Sequence, residues 1–171
     1  MLNNFRNCLD LLIKSEGGFT DSNGDPGGAT KYGVTRETWE SWVGHPVSIK
    51  DMENLTIEQV APLYEQRYWK PYGDLLPRGI DFLVFSMGVN AGGGRSIKLL
   101  QSSLGLIPDG IIGQRVLDKL RTVNIADVIV KFSDERRNYY RSLKLFNLFG
   151  HGWMERVDIE EKEALDMVKN A

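Results

Sequence analysis

Cysteine is almost missing from this sequence: Cys8 is the only one in 171 residues. A single thiol forms no disulfide within its chain, which excludes the stapled, core-poor scaffolds in which bridges replace packing. Cys8 falls among the apolar residues of the first helical pattern, where a free thiol behaves as a small hydrophobe. Histidine is nearly as scarce. His45 and His151 stand far apart and show no local ligand spacing, so no metal site is expected. A run of about 18 apolar residues, the length a spanning helix needs, is also lacking. The opening Met-Leu-Asn-Asn-Phe-Arg-Asn-Cys-Leu-Asp has no uninterrupted apolar core of the kind a secretory signal carries. The expectation is a protein made in the cytoplasm with no standard export route of its own. Basic charge is not in excess either: 21 Lys and Arg against 23 Asp and Glu give a formal net charge of −2, which leaves no electrostatic footprint for nucleic acid.

What is present is the composition of an ordinary globular protein, 42% hydrophobic and 26% charged. The length favours one domain over residues 1–171, with a first lobe over 1–75 and a helical lobe over 76–171. Phe5, Cys8, Leu9, Leu11, Leu12 and Ile13 recur with a helical rhythm, which predicts a helix over about 3–15 that Gly17 and Gly18 stop. Thr35 is placed to cap a short helix closed by Gly44. Thr56 and Gln59 form a capping-box pair for a helix reaching Trp69, with Pro62 bending it. Its aromatic end, Tyr64, Tyr68, Trp69 and Tyr72, suits a core, a substrate platform or both. Further helices are predicted over 77–90, 95–104, 114–120, 125–148 and 152–168, so the chain reads as mainly α. Arg136, Arg137, Arg141 and Lys144 read as a solvated basic stripe on the long helix, with Asp134 and Glu135 as ion-pair partners.

The stretch over 16–35 fits this pattern worst. Glu16 closes the first helical pattern, and a loop rich in glycine, Asp21, Asn23, Asp25 and Thr30 follows. Such a loop loses much backbone entropy on ordering, so a long one inside a compact domain is disordered or functional. A calcium loop is a poor match, because Pro26 takes the place of the required glycine and Tyr32 that of the bidentate glutamate. The phosphate-loop spacing is absent as well. What remains is a carboxyl at a helix C-terminus, where the dipole disfavours negative charge, with a second carboxylate nine residues on and a threonine beyond it. Glycosidic cleavage needs a protonated carboxyl for the leaving oxygen and a group that holds water on the opposite face. A glycine-built hairpin is able to bring Asp25 and Thr30 opposite Glu16. The plain alternative is a solvated helix-end glutamate followed by turn formers.

Glu16-Gly17-Gly18-Phe19 together with Asp25-Pro26-Gly27-Gly28-Ala29-Thr30-Lys31-Tyr32-Gly33-Val34-Thr35 resembles the signature of glycoside hydrolase family 108, the N-acetylmuramidases found in phage endolysins. The resemblance implies a lysozyme-like α+β fold, with a helical bundle and a small glycine-rich loop or hairpin lobe carrying the cleft. It also implies bacterial peptidoglycan as the substrate, β-1,4 cleavage between N-acetylmuramic acid and N-acetylglucosamine, and no cofactor. By position Glu16 is the general acid, with Asp25 and Thr30 as the catalytic partners. Glu16-x8-Asp25-x4-Thr30 is one residue shorter than the Glu-x8-Asp/Cys-x5-Thr arrangement of phage-type lysozymes.

In the second half, Val89-Asn90-Ala91-Gly92, Leu99-Leu100-Gln101-Ser102-Ser103-Leu104-Gly105, Asp109-Gly110-Ile111-Ile112-Gly113 and Gly152-Trp153-Met154-Glu155-Arg156 resemble the peptidoglycan-binding region that accompanies the family. Ser86 stands where an aspartate is expected and Val116 where a threonine is. Tyr32, Asn90 and Trp153 are the expected glycan contacts. Asn90 serves equally as a helix cap, and a tryptophan placed like Trp153 in an amphipathic helix is more often core. A monomer is expected, which reaches the wall through a lesion made by a holin-type protein. The rival readings are a lytic transglycosylase acting on the same bond and a non-catalytic wall-binding protein.

Overall fold

A computed structural model describes residues 4–16, 18–20 and 28–170. The chain divides into two compact units: residues 5–67 form one, and residue 4 with residues 68–170 forms the other.

In the smaller unit, α1 (Phe5–Glu16) buries Phe5, Cys8, Leu9, Leu12 and Ile13. That is an i, i+3, i+4, i+7, i+8 stripe, the face an amphipathic helix turns to its core. After it come β1 (Thr30–Lys31) and β2 (Val34–Thr35), paired antiparallel with Thr30 opposite Thr35 and Lys31 opposite Val34. Thr20 makes an isolated bridge to Thr30, its N–H and C=O both bonded across. α2 (Arg36–Val43) starts where Thr35 accepts from the Thr38 N–H and ends at Gly44, whose φ of 81° is left-handed. Both caps are those the sequence predicts. α3 (Ile49–Glu53) was not anticipated, although Ser48 and Asp51 form a full capping box in front of it. α4 (Ile57–Tyr64) opens on the predicted Thr56–Gln59 box and contains Pro62. The helix expected to run to Trp69 instead rewinds as a π-helix over Glu65–Trp69.

The larger unit is built on α5 (Ile80–Ala91), buried at every position from Ile80 to Gly88. A helix apolar all round is a core helix. It packs with α6 (Gly93–Ser103), α8 (Ile125–Arg141) and α9 (Phe146–Lys169), while α7 (Gln114–Thr122) buries only Val116 and Leu120. The single helix predicted over 125–148 is a correction: the chain turns at 142–145 and α9 begins at Phe146, six residues before its expected start at Gly152. Ser142 ends α8, its N–H and hydroxyl collecting the last carbonyls of the helix, including that of Tyr139. Trp69 stands edge-on to Phe85, 5.7 Å between centroids, with its indole N–H given to Asp74 at 2.9 Å.

Candidate active site

The smaller unit places one carboxylate in a built setting. Glu16 is the last residue of α1 and is half-buried. Facing it is the turn of the hairpin, Tyr32 and Gly33, with φ of +52° and +77°. Two left-handed residues in a two-residue connection are what a type I′ hairpin demands, because that turn matches the twist of its strands. Gly33 meets the demand freely. Tyr32, by contrast, is the one non-glycine residue with positive φ among the described residues, a conformation that costs about 1–3 kcal/mol and has to be held by its surroundings.

Gly33 has a second reason to lack a side chain. A Cβ there would lie 3.2 Å from Glu16 Oε2, 3.3 Å from Glu16 Cγ and 3.0 Å from the Tyr64 hydroxyl oxygen. The carboxylate therefore sits directly on the hairpin backbone. Tyr64, at the end of α4 and 2% exposed, donates its hydroxyl to the Tyr32 carbonyl at 2.7 Å. Lys31 donates to the Glu53 carbonyl, and its ammonium lies 5.3 Å from the centre of the half-buried Tyr32 ring. Thr30 is held by the Thr20 bridge, and its hydroxyl donates to the Gly28 carbonyl at 3.2 Å. Glu16, Thr30 and Tyr32 thus belong to one helix-end and hairpin assembly. Asp25, the third expected partner, lies outside the described residues, as do Asp21 and Asn23.

Glycosyl hydrolase 108 is the family whose model matches, over residues 9–92. The solved structure of SagA from Brucella abortus is similar at 32% identity, over 98% of this chain and 97% of that one, with a TM-score of 0.84. The chain belongs to the glycosyl hydrolase 108 family. It is a glycoside hydrolase with a lysozyme-like, mainly α fold, as its sequence suggests. No curated protein matches it at the same stringency.

The family match ends at Gly92, so it takes in Glu16, Thr30, Tyr32 and Asn90, whereas the motifs at 99–105, 109–113 and 152–156 fall beyond it. In this glycosyl hydrolase 108 chain, Asn90 belongs to the larger unit. Its amide donates to the Ser86 carbonyl at 2.8 Å, and its oxygen accepts from Arg156. Trp153 is half-buried, stacked on Tyr140 at 5.3 Å and tilted against Phe149 at 5.8 Å. The Gln101 and Asp109-Gly110 motifs join in one turn. The buried Gln101 amide donates to Asp109 Oδ1 at 2.6 Å and to the Ile111 carbonyl at 3.0 Å, and accepts from the Gly110 N–H at 2.8 Å.

The basic stripe needs correcting. Arg136 is fully buried, bonded to Glu160 at 2.6 Å, and Arg137 is held by Asp134, Asp158 and Glu161. A stripe on one helix is solvated only where no second helix covers it, and α9 covers both of these arginines with carboxylates of its own.

Tyr64 and Gly33 are the site-building residues whose part beside Glu16 the sequence did not disclose, Tyr64 reading only as core or substrate platform and Gly33 only as part of the family signature. The signal for the turn was present, since Tyr-Gly between short β-prone pairs reads as a two-residue hairpin. It is a weaker cue than Asn-Gly.

Proposed function

We propose that the chain is an N-acetylmuramidase that hydrolyses the β-1,4 bond between N-acetylmuramic acid and N-acetylglucosamine in bacterial peptidoglycan, with Glu16 as the general acid. The observation that carries this reading is the Glu16 carboxylate seated on the backbone of a hairpin whose turn glycine leaves room for it. A fixed carboxyl beside an open backbone turn suits proton delivery, because general acids act through placement first and acidity second. Family membership supports the reaction class.

In the proposed step the Glu16 proton passes to the glycosidic oxygen as the bond from the anomeric carbon to that oxygen breaks, leaving an oxocarbenium-like centre. Water then adds to the anomeric carbon from the far face and gives its proton to a base. Asp25 is the base in this reading, with Thr30 helping to orient the water. It requires a carboxyl separation of about 6.5–9.5 Å and inversion at the anomeric carbon. Tyr32, Asn90 and Trp153 are proposed as glycan contacts. The half-exposed aromatic rings of Tyr32 and Trp153 support their part, whereas Asn90 reaches an N-acetyl group only by releasing Arg156.

Glu16→Gln keeps the shape of the side chain and removes the proton donor. It is expected to lower turbidity clearance of purified peptidoglycan by about a hundredfold or more. Near-normal clearance by that variant sinks the assignment. Mass spectrometry of the wild-type products is expected to show free reducing ends. A 1,6-anhydro end would convert the reading to a lytic transglycosylase, and binding without any new ends would convert it to a wall-binding protein.

A further inference from the structure

The phenol of Tyr64 is buried at the end of α4, in a place where simple core packing would be served as well by phenylalanine. A buried hydroxyl needs a partner, and this one spends its hydrogen on a backbone carbonyl 32 residues earlier in the chain, that of Tyr32. Tyr32 is the residue whose left-handed φ of +52° has to be held against its own preference. The next residue, Gly33, is where the hairpin backbone meets the Glu16 carboxylate, and the point where its Cβ would stand is bordered by both the Tyr64 hydroxyl and Glu16 Oε2, at 3.0 and 3.2 Å. One hydroxyl therefore touches the strained residue and the notch that admits the carboxylate.

We propose that Tyr64 is a positioning residue: by donating to the Tyr32 carbonyl it locks the Tyr32–Gly33 turn in the left-handed form that seats the hairpin backbone on Glu16. The inference rests on the reading of Glu16 as the acid and deepens it. Without the hydroxyl, Tyr32 relaxes toward negative φ, the turn changes type and the notch at Gly33 moves off the carboxylate. The fold of the unit does not rest on this bond alone, because β1 pairs with β2 and its Thr30 is also bridged to Thr20. The effect falls on the placement of Glu16 and so lowers turnover, and because Tyr32 is itself a proposed glycan contact a rise in KM accompanies it.

The test is Tyr64→Phe, assayed with soluble glycan chains and normalised to folded protein. The expected result is a kcat lower by roughly 10- to 100-fold, the scale of a misplaced catalytic group, beside whatever rise in KM the displaced Tyr32 brings. A kcat within twofold of wild type overturns the proposal, as does a loss carried wholly by KM. A second comparison isolates the turn. Glycine adopts positive φ without strain, so in a Tyr32→Gly background the same Tyr64→Phe change is expected to cost clearly less than in the wild-type background. An equal fold-loss in both backgrounds shows that the hydroxyl does not act through Tyr32 and overturns the proposal.

If Tyr64→Phe does not fold, Gly33→Ala addresses the same contact while leaving residue 64 a tyrosine. Its new methyl group enters the 3.0 and 3.2 Å contacts and is expected to lower kcat by a similar factor, whereas wild-type kcat in that variant overturns the proposal. Glu16→Gln, run alongside, separates the two levels. An inactive Glu16→Gln with a fully active Tyr64→Phe removes only this inference, while an active Glu16→Gln removes the catalytic reading itself.

Discussion

Asp81 illustrates how a single residue in the larger unit couples its surroundings to pH. It is 3% exposed in the first turn of α5, with Oδ2 accepting from the Asn4 amide at 2.9 Å and Oδ1 from the Phe82 N–H at 2.7 Å. Burial raises its pKa above the ordinary aspartate value, against the opposing pull of Asn4, the backbone N–H groups and Arg78. A carboxyl whose folded pKa is raised holds its proton more tightly in the native state. Its contribution is therefore fully present below the unfolded pKa, near pH 4, and is lost as pH rises through the folded value. Asp81→Asn has no such titration. Urea unfolding at a series of pH values is expected to show the stability difference, wild type minus variant, falling once pH rises above about 4 and levelling off above the folded pKa. A difference that rises over that range contradicts the assignment. At this scale the sequence was partly legible. The place of Glu16 at the end of α1 was legible from the apolar period that stops there, but nothing near residue 33 in the sequence points to residue 64, because the contact depends on a turn of left-handed residues folding back onto a distant helix.

Among the elements, those with chemical punctuation were legible. Thr35 and Gly44 bracket α2, and Thr56 with Gln59 opens α4, each by a hydrogen bond that follows from the residue type. α3 escaped because five residues are too few to show a period, although its Ser48–Asp51 box is as well formed as the one on α4. The break between α8 and α9 has neither glycine nor proline at 142–145, so no residue there forbids a helix, and the chain turns for tertiary reasons. The start of α5 is the reverse case, a boundary that depends on one glycine. Gly79 is its N-cap with φ of 85°, and a Cβ there would stand 2.7 Å from the Ala164 carbonyl oxygen and 2.9 Å from Ile129 Cδ1. Both a strained φ and a collision with the backbone of α9 follow from adding one methyl group. Gly79→Ala is expected to lower unfolding free energy by about 2–4 kcal/mol, combining the backbone and overpacking terms. Gly113→Ala is the control: it caps α7 at φ −103° with nothing within 4 Å of its Cβ position, and its melting temperature is expected to stay within about 2 °C of wild type, since surface changes away from such features move stability little.

Across the molecule, the large-scale pattern of a helical unit and a hairpin-bearing unit follows from periodicity and glycine placement, whereas the polar interior of the larger unit does not. Arg136 and Arg137 are neighbours in sequence and similar in chemistry, yet one is fully buried and the other 19% exposed. Successive helical residues point about 100° apart, so the choice between them is made by where α9 lies, which local sequence does not encode. The buried pair ties three helices together: Arg136 of α8 bonds Glu160 Oε2 of α9 at 2.6 Å, and Glu160 Oε1 accepts from Ser86 of α5 at 2.6 Å. Arg136 Nε and Nη2 are buried and find no acceptor among the described residues, so the charge is neutralised but incompletely solvated. Two consequences follow with opposite signs. Glu160→Gln keeps an oxygen for Ser86 but leaves a buried guanidinium without a counter-charge, and urea unfolding is expected to show a loss of about 3–5 kcal/mol. Replacing both partners together, Arg136→Met with Glu160→Leu, removes the charge, the two unfilled donors and the carboxylate at once. That variant, with Ser86→Ala so that no hydroxyl is stranded, is expected to be at least about 2 kcal/mol more stable than Glu160→Gln, because a well-packed apolar replacement of a buried ion pair is neutral or better. If the triple variant is instead the less stable of the two, the ion pair is a net stabiliser of the α5, α8 and α9 core and the unfilled donors carry no penalty.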